Sequence, residues 1–208
     1  MSILEYMKIL LASNNDHKRE EFSRIFDTHT IALPRDLSLA FDFEETKETF
    51  TENALDKAMA LLPLAPEGWV VLADDSGLCV DALGGGPGVR TARYGQKPDG
   101  TLLESGERNQ YLLKNLSHLT TLEERSAHFV CALALVVNEH RIYTVCEHVD
   151  GFIAFEASGS TGFGYDPVFI VEAVGAPMAT LAEGEKDRYS HRGVASRRMK
   201  TILEEIEL

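Results

Sequence analysis

Cysteine is scarce in this chain: Cys79, Cys131 and Cys146 are the three in 208 residues. They are odd in number and scattered, which excludes a disulfide framework and offers no zinc-type spacing. They read as strand-core thiols of a protein kept in a reducing cytoplasm. Positive charge is also short. Twenty Lys and Arg face 33 Asp and Glu, a net charge of -13, so the broad cationic face that nucleic-acid binding needs is excluded, while a small anion arriving with a metal ion is not. No apolar run approaches the roughly 18 residues that would span a bilayer, so no membrane role is expected. The opening "MSILEYMKILLA" holds Glu5 and lacks a basic flank and a cleavage site, so no secretory leader is expected. What is present suits a globular core: 44% of residues are hydrophobic and 25% charged, consistent with a single domain over residues 1–208.

Residues 7–12, "MKILLA", are a short apolar run ending in the polar "SNNDHK". Phe22, Ile25 and Phe26 then recur at helical spacing, which predicts a strand, a tight loop and a helix. "TFTE" (49–52) is a capping box with Thr49 as N-cap, and Leu55, Ala58, Met59 and Leu62 mark the apolar face of the helix that follows, ended by Pro63. "WVVLA" (69–73) reads as a buried strand that ends at the acidic pair Asp74 and Asp75. A helix is expected over 107–116, and two long strands over 127–138 and 141–155 around a "NEH" turn, a hairpin that would form its own lobe. The short strand "VFIV" follows a glycine-rich loop, and a final helix after "SHRG" carries Met199, Ile202, Leu203 and Ile206 on one face. Strands alternating with helices, then a hairpin, make the class mixed α/β.

Four stretches carry groups suited to chemistry. In "LLASNNDHKREEF" a loop leads into a helix N-terminus, whose N–H groups and dipole suit an anion. Ser13, Asn15 and Lys18 add a hydroxyl, an amide and an ammonium; plain capping by Asn15 or Asp16 is the alternative. The glycines of a P-loop are absent. An acidic set follows: Glu44, Glu45 and Glu48, then Asp74 and Asp75. One or two carboxylates plus substrate phosphates are what Mg²⁺ prefers. A solvated acidic loop is the plainer reading of the glutamates, whereas unpaired charge at the end of a buried strand is costly. In "STGFGYDP" the glycines let the backbone approach a ligand, Phe163 and Tyr165 offer flat faces, and Pro167 would hold Asp166 extended; a turn with packed aromatics is the alternative. In "EKDRYSHRG" (185–193), Lys186, Arg188, His191 and Arg192 gather cations just ahead of a helix, where they oppose its dipole and call for an anionic or carbonyl-bearing partner. A solvated charged run is the other reading.

In order along the chain, these stretches resemble the inosine triphosphate pyrophosphatase family. The motifs are Ser13, Asn15 and Lys18 as [ST]-x-N-x-x-K, the acidic pair Glu44 and Glu45, "TFTENA", "ADDSGL", "GGPGVRTARY", "FGYDP" and "SHRG". Seven in register extend the resemblance from about residue 8 to the C-terminus. It implies an elongated mixed sheet flanked by helices, with two lobes and a central nucleotide-binding cleft. It also implies hydrolysis of ITP, dITP or XTP to the monophosphate and pyrophosphate with Mg²⁺, usually by a homodimer. By position, Asp75 is the implied proton acceptor and, with Glu44, the metal ligand. Ser13, Asn14, Asn15, Asp16, His17 and Lys18 are the implied phosphate loop. Ser76, Phe163, Gly164, Tyr165, Asp166, Lys186, His191 and Arg192 would hold the nucleoside and remaining phosphates, while Glu45 and Asp74 would be supporting. Asn14 departs from a frequent glycine, and Asn tolerates left-handed backbone. Gly86 replaces a frequent small residue in "GGGPG", which loosens a loop without removing a chemical group. A Maf-like nucleotide pyrophosphatase lacks the "FGYDP" and "SHRG" pair. A non-catalytic nucleotide sensor could discard the carboxylates, and a phosphoacceptor receiver domain is far shorter.

Overall fold

The computed structural model describes residues 6–206. Residues 1–5, which carry part of the leader reading, lie outside that range. The elements run β1 (Lys8–Leu11), α1 (Asp16–Ile25), β2 (Thr30–Ala32), α2 (Phe50–Leu61), β3 (Trp69–Val80), α3 (Ser105–Asn115), β4 (Ser126–Asn138), β5 (Arg141–Ile153), β6 (Phe169–Val171), β7 (Ala176–Pro177), α4 (Glu183–Tyr189) and α5 (His191–Glu205). Seven strands form one sheet in the order β2-β1-β3-β4-β5-β6-β7. β1 pairs parallel with β2 and β3, whereas β6 pairs antiparallel with β5 and β7, so the sheet is mixed. None of the described helices is long and apolar enough to cross a membrane.

The chain divides into two compact units. The first takes in the chain up to Asp75, Cys131–Glu147 and the segment from Ala195 onward; the second comprises Ser76–Val130 and His148–Val194. The long strands β4 and β5 therefore supply residues to both units, and the hairpin is not a lobe of its own. In the first unit, strand alternation sorts two apolar faces. Ile9, Leu11, Val70 and Leu72 pack with Phe22 and Phe26 of α1 and with Ala195, Met199 and Leu203 of α5. Leu10, Val71 and Ala73 pack with Ala54, Ala58 and Leu61 of α2. Each fully buried large aliphatic or aromatic side chain contributes about 1.5–3 kcal/mol of transfer free energy. The second unit has its own core of Leu78, Val80, Leu112, Phe129, Phe169 and Met178.

Several expectations change. β3 does not stop at the acidic pair but runs through it to Val80, because Leu78, Cys79 and Val80 continue the buried run. Asp166 is not extended; it opens a single helical turn, Asp166–Val168, with Pro167 near its start, where a missing N–H is tolerated. His191 and Arg192 lie in the first turn of α5 rather than ahead of it, and Lys186 and Arg188 belong to α4, an element the sequence reading did not include. Cys79 and Cys131 are buried in strands as expected, but Cys146 is exposed on β5. The N-cap half of the expected capping box is present: Thr49 Oγ1 accepts from the Glu52 N–H at 3.2 Å, while the Glu52 carboxylate accepts from the Thr49 hydroxyl at 2.7 Å.

Candidate active site

Because consecutive strand residues point to opposite sheet faces, Asp74 and Asp75 are not a side-by-side pair. Asp74 continues the Val70–Leu72 face toward α1, where Lys18 Nζ reaches both of its oxygens at 2.9 and 2.8 Å. Asp75 continues the Val71–Ala73 face toward α2, where Asn53 Nδ2 donates to its Oδ2 at 2.9 Å. Both carboxylates are buried, 0% and 4% exposed, but Asp74 has a cation against it and Asp75 an amide. Burial, the Glu45 charge and, to a lesser degree, Asp74 push the Asp75 pKa up to about 6, against the opposing pull of the Asn53 hydrogen bond and the Lys57 charge.

Asn53 and Lys57 were missed by the sequence reading. They sit four apart on α2 and are both buried, polar positions on a face that apolar periodicity alone does not mark. Asn53 is fully engaged: beyond Asp75, its Oδ1 accepts from the Lys47 N–H at 2.9 Å and its Nδ2 shares the Lys47 carbonyl. Lys57 pairs with Glu45. The available signal was their place inside "TFTENALDK", four residues apart in the motif stretch.

In the loop before α1, Asn15 is the N-cap, its Oδ1 accepting from the N–H groups of His17 at 2.9 Å and Lys18 at 3.4 Å. Ser13 Oγ accepts from the Asn15 N–H at 3.1 Å. The capping alternative is therefore realised for both side-chain oxygens, while the helix N-terminus itself stays at the head of the loop. Left-handed backbone is not used at Asn14: among the described residues the non-glycine with positive φ is Ser38. The loop keeps its shape because Asn14 Nδ2 donates to the Phe41 carbonyl and Arg35 donates to the Asn14 carbonyl, each at 3.0 Å. Arg35 and Arg19 both engage Asp16. Glu44 is exposed and Glu45 half-buried.

The second unit gathers a different set. Asp166 and Lys186 form a buried pair at 2.8 Å, and Asp166 Oδ2 also accepts from the Phe163 N–H at 2.8 Å. Gly162 makes this possible: at φ +77, a Cβ there would stand 2.7 Å from Lys186 Nζ. Phe163 is half-buried with two cations against its ring, Lys186 Nζ at 5.0 Å and the Arg192 guanidinium at 5.4 Å from the centroid. Arg192 Nη2 donates to Ser76 Oγ at 2.9 Å. His191 stacks on Phe129, centroids 4.3 Å apart and rings 7° from parallel, a partner the sequence reading did not name. Tyr165 is buried rather than presented, its hydroxyl donating to the Thr91 carbonyl at 3.0 Å.

A divalent metal can be tested against these groups. Among the described residues no cluster of three or more His, Cys, Asp or Glu could hold a metal ion; Mg²⁺ needs only one or two carboxylates when water and phosphate supply its other ligands. Asp75, buried, acidic in excess and carrying an amide rather than a cation on Oδ2, is a hard oxygen donor of the kind that Mg²⁺ selects.

Residues 9–202 match the model of the Ham1 family. A dITP/XTP pyrophosphatase of Treponema denticola is 46% identical over 91% of this chain and 94% of its own length, and one from Bacillus licheniformis is 38% identical over 95% and 98%. Among solved structures, a HAM1 protein from Coxiella burnetii superposes with a TM-score of 0.80 at 37% identity, covering 96% of this chain and all of that one. A fold, a motif order and relatives that coincide over nearly the whole chain leave one assignment: this chain belongs to the Ham1 family.

Proposed function

We propose that the chain hydrolyses the non-standard purine nucleoside triphosphates ITP, dITP and XTP to the nucleoside monophosphate and pyrophosphate. The observation that carries this reading is Asp75, a buried carboxylate met by the Asn53 amide at 2.9 Å rather than by a cation, with burial raising its pKa to about 6, in a chain related over more than nine-tenths of its length to proteins named dITP/XTP pyrophosphatase. A base with that affinity for protons is ionised at pH 7 yet basic enough to take a proton from water, work worth about 10²- to 10⁴-fold in rate.

The phosphate chain is assigned to Ser13, Asn14, Asn15, Asp16, His17 and Lys18, chiefly through the N–H groups at the head of α1. Glu44 and Asp75 are the proposed ligands of Mg²⁺, which when bound supplies positive charge to the triphosphate. Asp74 holds Lys18 in place and Glu45 answers Lys57, both supporting roles. In the second unit, Phe163 is the stacking face for the base and Gly164 and Tyr165 set its angle. Asp166, Lys186 and His191 fix the surrounding shape, and Ser76 steadies Arg192. Arg192 can only donate. The 6-carbonyl of hypoxanthine or xanthine accepts from it, whereas the adenine 6-amino group leaves both unpaired, a loss of about 1–3 kcal/mol. A homodimer working in the cytoplasm completes the proposal.

The test is a panel of ITP, dITP, XTP and ATP, each with Mg²⁺ and with a chelator, reading pyrophosphate. Release from the first three that stops on chelation is expected. Equal cleavage of ATP and ITP would contradict the assignment of Arg192, and no release from any would contradict the function.

A further inference from the structure

Asn109 breaks the pattern of its own helix. α3 buries Asn109 and Leu112, so an amide occupies a place where helix amphipathicity calls for an apolar side chain, in a residue type that a helix interior does not favour. The side chain is 5% exposed. Its Nδ2 donates to the carbonyl of Gly164 at 3.0 Å, while its Oδ1 is buried without a hydrogen-bond partner. Reversing the amide would set that oxygen against the Gly164 carbonyl, so the orientation is forced. A buried acceptor left unsatisfied is costly, which means the donor end is retained for something other than helix stability.

That something is the peptide between Phe163 and Tyr165. The surrounding turn is closed by its own bonds: the Phe163 N–H donates to Asp166 Oδ2, the Asp166 N–H donates to the Phe163 carbonyl and the Val168 N–H to the Tyr165 carbonyl. The Gly164 carbonyl is bound from outside the turn, by α3. Gly164 has φ +64 with open space where a Cβ would stand, and its carbonyl, on the peptide that leads to the buried Tyr165, takes its hydrogen bond from Asn109.

We propose that Asn109 is a positioning residue which, through the Gly164 carbonyl, sets the angle of the Phe163 ring and thereby the selection of the base. This rests on the functional reading above for Phe163. Asn109 touches no reacting atom; its removal costs alignment rather than chemistry.

Asn109→Leu keeps the branched skeleton of four heavy atoms, deletes the unsatisfied oxygen and releases the Gly164 carbonyl; Asn109→Ala is the second variant. In the full chain, amide hydrogen exchange over residues 160–168 should speed up about tenfold, the loss of one hydrogen bond, with the melting temperature of the Leu variant within a few degrees of wild type. KM for ITP should rise about tenfold with kcat within about twofold, and the ITP-to-ATP ratio of kcat/KM should fall. Unchanged exchange in 160–168 would overturn the proposal. So would losses of kcat that track melting temperature, or failure of both variants to fold, since either makes Asn109 a stability residue. Should the wild-type chain release no pyrophosphate from ITP, the functional reading falls, while the exchange measurement still decides whether Asn109 holds the turn.

Discussion

The two units solve opposite electrostatic problems. In the first, carboxylates exceed cations at the buried positions, and each cation is placed against an acid: Lys18 on Asp74, Lys57 on Glu45. Asp75 receives Asn53 instead, and burial raises its pKa to about 6. In the second, Lys186 and Arg192 border one aromatic ring, with Asp166 answering Lys186 and a serine hydroxyl answering Arg192. The contrast teaches what each set is built to accept. Excess acid invites a cation and a proton, whereas donors around a flat ring invite a planar group that carries hydrogen-bond acceptors.

The largest effect expected from breaking this contrast is on the acidic side. Asp75→Asn should lower turnover about 10²- to 10⁴-fold while leaving a folded protein, measured by pyrophosphate release and thermal melting. The pH dependence follows in sign. The folded pKa lies above the unfolded value of 3.8, so the metal-free protein is most stable below that value and loses stability as pH rises toward about 6 and the buried carboxylate ionises. Asp75→Asn should lack that loss, and its melting temperature should gain on wild type between pH 4 and pH 7 (about the window from unfolded to folded pKa). Wild-type kcat/KM should decline at acid pH as Asp75 is protonated, with Mg²⁺ on the same carboxylate drawing that limb below the metal-free value of about 6.

A smaller effect is expected on the cationic side. Arg192→Met retains an elongated side chain near Phe163 but no donor, and should cut the ITP-to-ATP ratio of kcat/KM about 10- to 100-fold with less effect on ATP itself. A ratio that stayed constant would show that Arg192 does not read the base.

The smallest expected effect sharpens the acidic side. Lys57 lowers the Asp75 pKa, so Lys57→Met should move the acid limb of the kcat/KM profile to higher pH. A limb that stayed in place would separate Asp75 from that limb.

Much of this was legible in the sequence because the governing signals are local. The Thr49 N-cap, the apolar runs of β1 and β4, and the spacing of Phe22 with Phe26 each declare an element within a few residues. The cation cluster at 186–192 and the acid pair at 74–75 declared charge that needed partners. What the sequence could not declare were the partners themselves. Asn53 and Lys57 look like solvent-facing positions of α2 until the strand carrying Asp75 is laid against them. Asn109 reads as an ordinary polar helix residue until Gly164, 55 positions away, comes to it. The acid pair misled for a related reason: the end of the apolar run read as the end of the strand, yet β3 buries its acids and continues, and alternation sends them to opposite faces.

The proposed hydrolysis to monophosphate and pyrophosphate, with Asp75 taking a proton from a water that attacks the α-phosphorus, is tested most directly by turnover of ITP in ¹⁸O-labelled water with Mg²⁺, followed by mass analysis of both products. Attack by water at that atom should place the label in the inosine monophosphate and leave pyrophosphate unlabelled. Label in pyrophosphate, or inosine diphosphate with labelled orthophosphate, would contradict it.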